Sequence, residues 1–340
     1  RSPISRANVL QRLDIAKKKA IQVNNYMDIG FRIRQVNPDH EYAKEAILKV
    51  FDQNHLNLVL IEFVIFFVLL ILGIFRDYEF FQIPAAASVV LFLTIFIMFT
   101  GAVSYWFRGW SITVVLLALV ALNILVKGNI ITSEYQAYGL DYQAQPADYS
   151  LERLQEMSSP LNRQQDRLTT LAILNRWRAK FTDDAPPKMV FITASGGGQR
   201  AALWAMKSLQ ACDSSTNGQL LRHAALITGS SGGVIGASYY RELALQKAEG
   251  KSIDLNHHQY LDNISKDNLN PIIYTLLVSD LFIRYQSFDY GGFRYKKDRG
   301  YSFEQQLNKN TEFILEKPLA AYAAPEQQAI IPMLFVAPTI

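Results

Sequence analysis

Cysteine is nearly missing from this sequence. Cys212 is the only one among 340 residues, so no disulfide can form within the chain, and a lone thiol in a predicted helix reads as a small buried apolar side chain. Charge is scarce as well. Asp, Glu, Lys and Arg make up 19% of the chain, against about a quarter in an ordinary soluble domain. The shortage is concentrated between residues 56 and 126, which excludes disorder as its cause and points to a membrane. Lys and Arg are absent from 128–152, where Glu134, Asp141 and Asp148 occur. None of the long apolar runs resembles a cleaved signal peptide, being too long and preceded by some fifty residues.

Those runs are the most informative feature of the first half. Residues 56–75 contain one charge, Glu62, whereas 80–107 and 109–126 contain none. About twenty residues cross a bilayer core, so three spans are expected, near 56–75, 83–107 and 109–126. Tyr78, Tyr105, Trp106 and Trp110 fall at the run ends, where aromatic belts sit. Glu62 reads either as a functional carboxylate at depth or as a protonated one near the headgroups.

The net charge of +4 resides in residues 1–55, which hold ten Lys and Arg against six Asp and Glu. The basic tract at 17–19 has no interleaved aromatics, so it reads as a juxtamembrane segment facing anionic lipid rather than a nucleic-acid site. Residues 2–20 suit an amphipathic helix or a plain solvated one. With a cytoplasmic N-terminus and three spans, the C-terminal domain falls on the extracytoplasmic side. The chain thus divides into a basic segment (1–55), a transmembrane region (56–127), a connector (128–187) and a domain at 188–340. In the connector, Tyr135, Tyr138, Tyr142 and Tyr149 suggest an extended stretch lying on the membrane face or on the domain. Residues 160–180 then read as a helix, with a stripe of Leu161, Leu168, Leu171, Ile173, Leu174 and Trp177.

The rest of the chain is organised around residues 189–233, which read strand, glycine turn, helix, strand, tight turn, helix. The runs 189–194 and 224–228 are short, apolar and β-branched, as buried parallel strands are. The first enters Ser195-Gly-Gly-Gly-Gln-Arg200 and the second enters Gly229-Ser-Ser-Gly-Gly233, with helical composition following at 201–211 and 234–247. The second turn fits G-x-S-x-G with Ser231 at its centre. A Ser on a sharp strand-to-helix turn has its Oγ pushed clear of the sheet, and its neighbours must be small. The following helix directs its N-terminal N–H groups at the same place, where an oxyanion would form. Gly197 and Gly198, uncovered by side chains, are the expected second set of donors.

Together the two turns resemble those of the patatin-like phospholipases, in which G-G-G-x-R/K precedes G-x-S-x-G. The resemblance covers about 188–340. It implies an α/β three-layer hydrolase domain after the transmembrane segment, in a multi-pass protein of bacterial inner-membrane type. It further implies ester hydrolysis on membrane phospholipids or other acyl lipids by a Ser-Asp dyad, with neither metal nor cofactor and with no nucleic-acid partner. By this resemblance Ser231 is the nucleophile, Gly197 and Gly198 form the oxyanion hole, and Gly196, Arg200, Gly229 and Gly233 complete the motifs.

The family's acid partner lies in a D-G-G or D-G-A turn, and neither occurs in the chain. Asp289 in Phe-Asp-Tyr-Gly-Gly and Asp298 in Lys-Asp-Arg-Gly-Tyr are the nearest lookalikes, and Asp298 with Glu304 resembles a D-R-x-x-x-x-E segment of membrane-associated relatives. The sequence is therefore expected to be a fragment whose acid lies beyond Ile340. His257 and His258 follow Ser231 by about twenty-five residues in a polar loop and read as solvated surface. The near-apolar run at 270–283 is too short to span and suits a buried helix or an interfacial lid. Two other functions remain. One is nucleotide binding, since Gly196-Gly-Gly-Gln-Arg-Ala201 also fits G-x-G-x-x-A, although the acidic residue expected after the next strand is missing. The other is a patatin-like membrane scaffold or complex subunit without turnover.

Overall fold

A computed structural model gives the fold of residues 24–28, 30–36, 44–75, 78–81, 83–128, 136–182, 185–281, 284 and 286–336. The expectations for 2–20, for the basic tract at 17–19 and for Tyr135 lie outside these residues, as does the side chain of Tyr105. The chain forms two compact units, one of residues 1–136 and 273–286, the other of 137–272 and 287–340.

The first unit is built on apolar helices. Lys44–Ile74, Ala85–Phe107 and Ser111–Lys127 follow one another, the last two joined by a 3₁₀ turn at Arg108–Trp110. Two of them, over Leu56–Ile74 and Ala85–Ser104, are long and apolar enough to cross a membrane. Only 11% of either stretch is buried, the reverse of a core helix in a soluble protein. The third is apolar but shorter, at 17 residues. Inside the second helix, Thr94 and Thr100 donate their hydroxyl protons to the carbonyls of Val90 (2.8 Å) and Phe96 (2.7 Å), so neither polar group needs water. Glu62 is half-buried in the first.

Residues 273–281 of the near-apolar run belong to this unit, with Tyr274, Leu277 and Val278 buried. Helix Leu269–Thr275 continues into a π-helical turn, Leu276–Asp280, and Tyr274 and Val278 pack on Leu69, Leu72, Leu91 and Ile95. The last carbonyls of a helix have no partner within it. Here Tyr274 Oη lies 2.8 Å from both Leu72 O and Phe81 O, and Gln286 donates to Ile74 O at 2.7 Å. These contacts cap the end of the first apolar helix.

The second unit has a three-stranded parallel sheet in the order Val190–Ala194, Ala224–Gly229, Met333–Phe335. The strand–turn–helix–strand–turn–helix expectation holds, with helices Gly198–Ser215 and Ser231–Ala248 after the first two strands. Ile192, Ile227 and Leu334 turn one sheet face to these helices, meeting Met206, Leu209, Tyr239 and Leu243. The opposite face carries Phe191 and Phe335, both exposed. Helix Pro160–Arg178 starts on a Ser159 cap with Pro160 in its first turn, and Trp177, Leu174 and Ile173 approach Ala224, Ala225 and Met333. Leu161, Leu168 and Leu171 are exposed, so the expected stripe is buried only at its C-terminal end. Cys212 is exposed rather than buried, because Met206, Leu209 and Asp213 occupy the inward side of its helix.

Adjacent charges on the Ser231 helix hold the third strand. Arg241 is 1% exposed; its Nε donates to Pro332 O at 2.8 Å and its guanidinium pairs with Glu326, which accepts Leu334 N–H at 3.1 Å. Buried Glu242 accepts from Lys317 (2.6 Å) and Gln246 (2.8 Å). Removing one member of such a set strands a buried charge, at a cost of roughly 3–5 kcal/mol. In the connector, Tyr138 docks on the hairpin Ser287–Tyr290/Phe293–Lys296, with Phe288 at 4.8 Å, while Tyr149 is exposed.

Burial pushes the Tyr239 phenol from its ordinary 10.0 up to about 12, and pushes Tyr240 and Tyr322 upward as well. The folded chain holds these protons after the unfolded chain has released them. Their contribution to stability is complete below about pH 10 and is lost as pH rises through the folded value. Thermal unfolding in detergent should therefore show Tm falling over this alkaline range, with a shallower fall for Tyr239→Phe. An identical slope in that variant contradicts the assignment.

Candidate active site

The site grows from two strand ends that lie side by side. Ala194 pairs with Gly229, and Ser230 N–H donates to Ala194 O at 3.1 Å. One residue, Ser230, separates the second strand from its helix, so the chain must reverse within Ser230 and Ser231. Ser231 accordingly sits at φ +48°, a left-handed conformation that costs an L-residue roughly 1–2 kcal/mol. Its side chain remains exposed although the helix behind it is largely buried. Strain held on a reactive residue type is an observation from which function can be argued.

Glycines set the distance between the two turns. A Cβ at Gly232 would overlap the Gly198 carbonyl, one at Gly233 the Ser195 carbonyl, and one at Gly236 the Ala202 carbonyl. A Cβ at Gly229 would come within 2.5 Å of Ala194 O. These obstacles are all backbone, so no side chain can swing aside to admit a larger residue. A Cβ at Gly196 would lie 3.0 Å from Ser230 Oγ and 3.3 Å from Ser231 Cβ, which places the glycine turn directly against the serine. Gly197 and Gly198 take φ +144° and +62° and turn the chain into its helix. Two helices of 18 residues thus begin beside Ser231, each presenting unpaired N–H groups and the positive end of its dipole.

Ser231 opens into a pocket of about 230 Å³. Gly198, Gln199 and Gly232 form its turn side, and Ala202, Ile235, Ile264, Leu269, Ile272, Phe303 and Leu307 give it an apolar wall with Asn268 among them. Gln199 secures that wall by donating to the carbonyls of Ser265 (2.7 Å) and Lys266 at the end of helix Gln259–Ser265. The structure therefore gathers Ser231, Gly196, Gly197, Gly198, Gly229 and Gly233 at one place. Arg200 is exposed and lines a different groove.

The acidic lookalikes have structural duties elsewhere. Asp298 is buried as the N-cap of helix Arg299–Asn310 and accepts Tyr301 N–H at 2.9 Å. Asp289 is exposed on the hairpin, whose Gly291 and Gly292 both take positive φ, as a tight two-residue turn requires. Glu304 is exposed on the Asp298-capped helix. His258 pairs with Asp262 at 3.0 Å on the surface, as its polar loop suggested. Among the described residues, no group of three His, Cys, Asp or Glu side chains is arranged to hold a metal.

The pocket wall was not evident from sequence, since Ile264 comes from helix Gln259–Ser265 and Phe303 and Leu307 come from helix Arg299–Asn310. Gly236 was also overlooked, although its four-residue spacing from Gly232 puts both on one helix face. The chain matches no known family model, no curated protein and no solved structure.

The strain at Ser231 is testable by stability alone. Ser231→Gly relieves the left-handed conformation, whereas Ser231→Ala retains it. Unfolding should find the glycine variant more stable than the alanine variant by about 1 kcal/mol. An alanine variant equal to or above glycine means that the turn relaxes and is not strained.

Proposed function

We propose that this chain is a membrane-anchored lipid acyl hydrolase of patatin type, with Ser231 as nucleophile. The observation that carries the reading is Ser231 held at φ +48° on a one-residue strand-to-helix turn, with the glycine turn in contact beside it. Ser231 Oγ attacks the ester carbonyl of an acyl lipid. Its proton passes to an Asp outside the described residues, in the place the resemblance reserves for it. Gly197 and Gly198 N–H groups receive the oxyanion, each such donor lowering the barrier by roughly 2.7–4 kcal/mol. The C–O bond to the leaving alcohol breaks, that alcohol takes the proton, and water then cleaves the acyl-enzyme. The apolar pocket suits the acyl chain, which would leave the headgroup at the mouth.

In this reading the second unit is the patatin-like three-layer domain, and the three apolar helices form a multi-pass anchor in a bacterial inner membrane. The anchor keeps the pocket where its substrate is concentrated. The second reading is a scaffold or complex subunit without turnover. It is favoured by one observation: among the described residues, no Asp, Glu or His side chain hydrogen-bonds the Ser231 hydroxyl.

A fluorophosphonate probe separates the two. The protein in detergent should become covalently labelled, with labelling lost in Ser231→Ala. If the intact protein stays unlabelled while a reference serine hydrolase in the same detergent reacts, the catalytic reading fails and the scaffold reading replaces it.

A further inference from the structure

Helix Gly198–Ser215 presents Arg200, Leu203, Trp204 and Lys207 along one face, because these positions fall three, four and seven residues apart. Together with His258 and Asp262 they line an open groove of about 400 Å³. Trp204 leaves 74% of its surface in solvent, although an indole gains more from burial than almost any side chain. Its two cationic neighbours stand about two turns apart from each other along the helix, with the indole between them. Asp262 also lines the groove and lies 3.0 Å from His258, so the lining sets two cations against one carboxylate. The groove therefore offers two cations flanking an amphipathic ring.

We propose that this groove docks the second unit on the anionic phospholipid headgroups of a bilayer. Arg200 and Lys207 contact lipid phosphates, and Trp204 places its ring in the interfacial layer with its N–H towards water. Three observations select this occupant. The charge is complementary to phosphate. Exposed Trp beside Arg and Lys is the combination favoured at a membrane–water boundary. The same chain carries two helices able to cross a membrane, so headgroups are present at high effective concentration. The groove shares no lining residue with the Ser231 pocket, so the inference stands whether or not Ser231 turns over substrate. Each cation near an anionic leaflet favours docking by about fivefold, and the gain is screened by salt.

The test uses the whole chain in nanodiscs, either of phosphatidylcholine or of phosphatidylcholine mixed with phosphatidylglycerol, each with brominated acyl chains that quench nearby Trp. Trp106, Trp110 and Trp177 also emit, so the Trp204 signal is taken as the difference between the protein and Trp204→Phe. The docked state predicts a blue-shifted, quenched Trp204 signal in the phosphatidylglycerol discs. Salt reverses it, and Arg200→Gln/Lys207→Gln weakens it by roughly twentyfold or more in a lipid-composition titration. Both residues are exposed, and circular dichroism of that variant verifies its fold. A water-exposed Trp204 signal in both discs overturns the proposal. So does quenching that persists in the folded double variant, or a shift produced in phosphatidylcholine discs by inorganic phosphate alone.

Discussion

Backbone contact between the two strand-to-helix turns is the constraint on which the second unit depends. Gly232, Gly233 and Gly236 let one helix lie against the Gly198, Ser195 and Ala202 carbonyls, closer than any side chain permits. That proximity sets the spacing of the two helix N-termini, brings Gly196 against Ser231, and leaves Ser231 little choice but a left-handed backbone. The strain and the close packing have one cause. A helix displaced by the width of a methyl group would open the contact between Gly196 and the Ser230–Ser231 turn.

The remainder of the unit holds those two helices in place. The sheet supplies the floor through Ile192, Ile227 and Leu334. The charged pair Arg241 and Glu242 sits on the Ser231 helix and reaches segment 317–334, which delivers the third strand. Such groups are costly to bury alone and specific when matched, so they fix where that segment crosses the helix. Gln199 does the same work at the pocket, tying the first turn of one helix to the last turn of another. The first unit uses local bonds instead: Thr94 and Thr100 bond within their own helix, and the helix Lys44–Ile74 ends on Tyr274 and Gln286.

Much of this was legible in the sequence because it is local. Apolar runs at 56–75 and 80–107 follow from hydropathy, and the alternation of β-branched strands with glycine turns at 189–233 places the strand ends within one residue and the helix starts within three of their observed positions. What was not legible is tertiary. Asp298 and Asp289 resemble an acid partner in one dimension, and only the fold shows one capping a helix and the other decorating a hairpin. Leu161, Leu168 and Leu171 obey helical periodicity yet remain exposed, because periodicity marks a face without saying what covers it. Arg200 follows the glycines in sequence but, two residues into the helix, its side chain points to a neighbouring groove.

In the proposed reaction the glycine turn presents its N–H groups to the carbonyl that Ser231 Oγ would attack. A structure of the phosphonylated protein tests this most directly, since the phosphoryl oxygen stands where the oxyanion would. That oxygen should lie roughly 2.7–3.1 Å from Gly197 N and Gly198 N. A phosphoryl oxygen turned away from both, or a glycine turn that must refold to reach it, contradicts the claim.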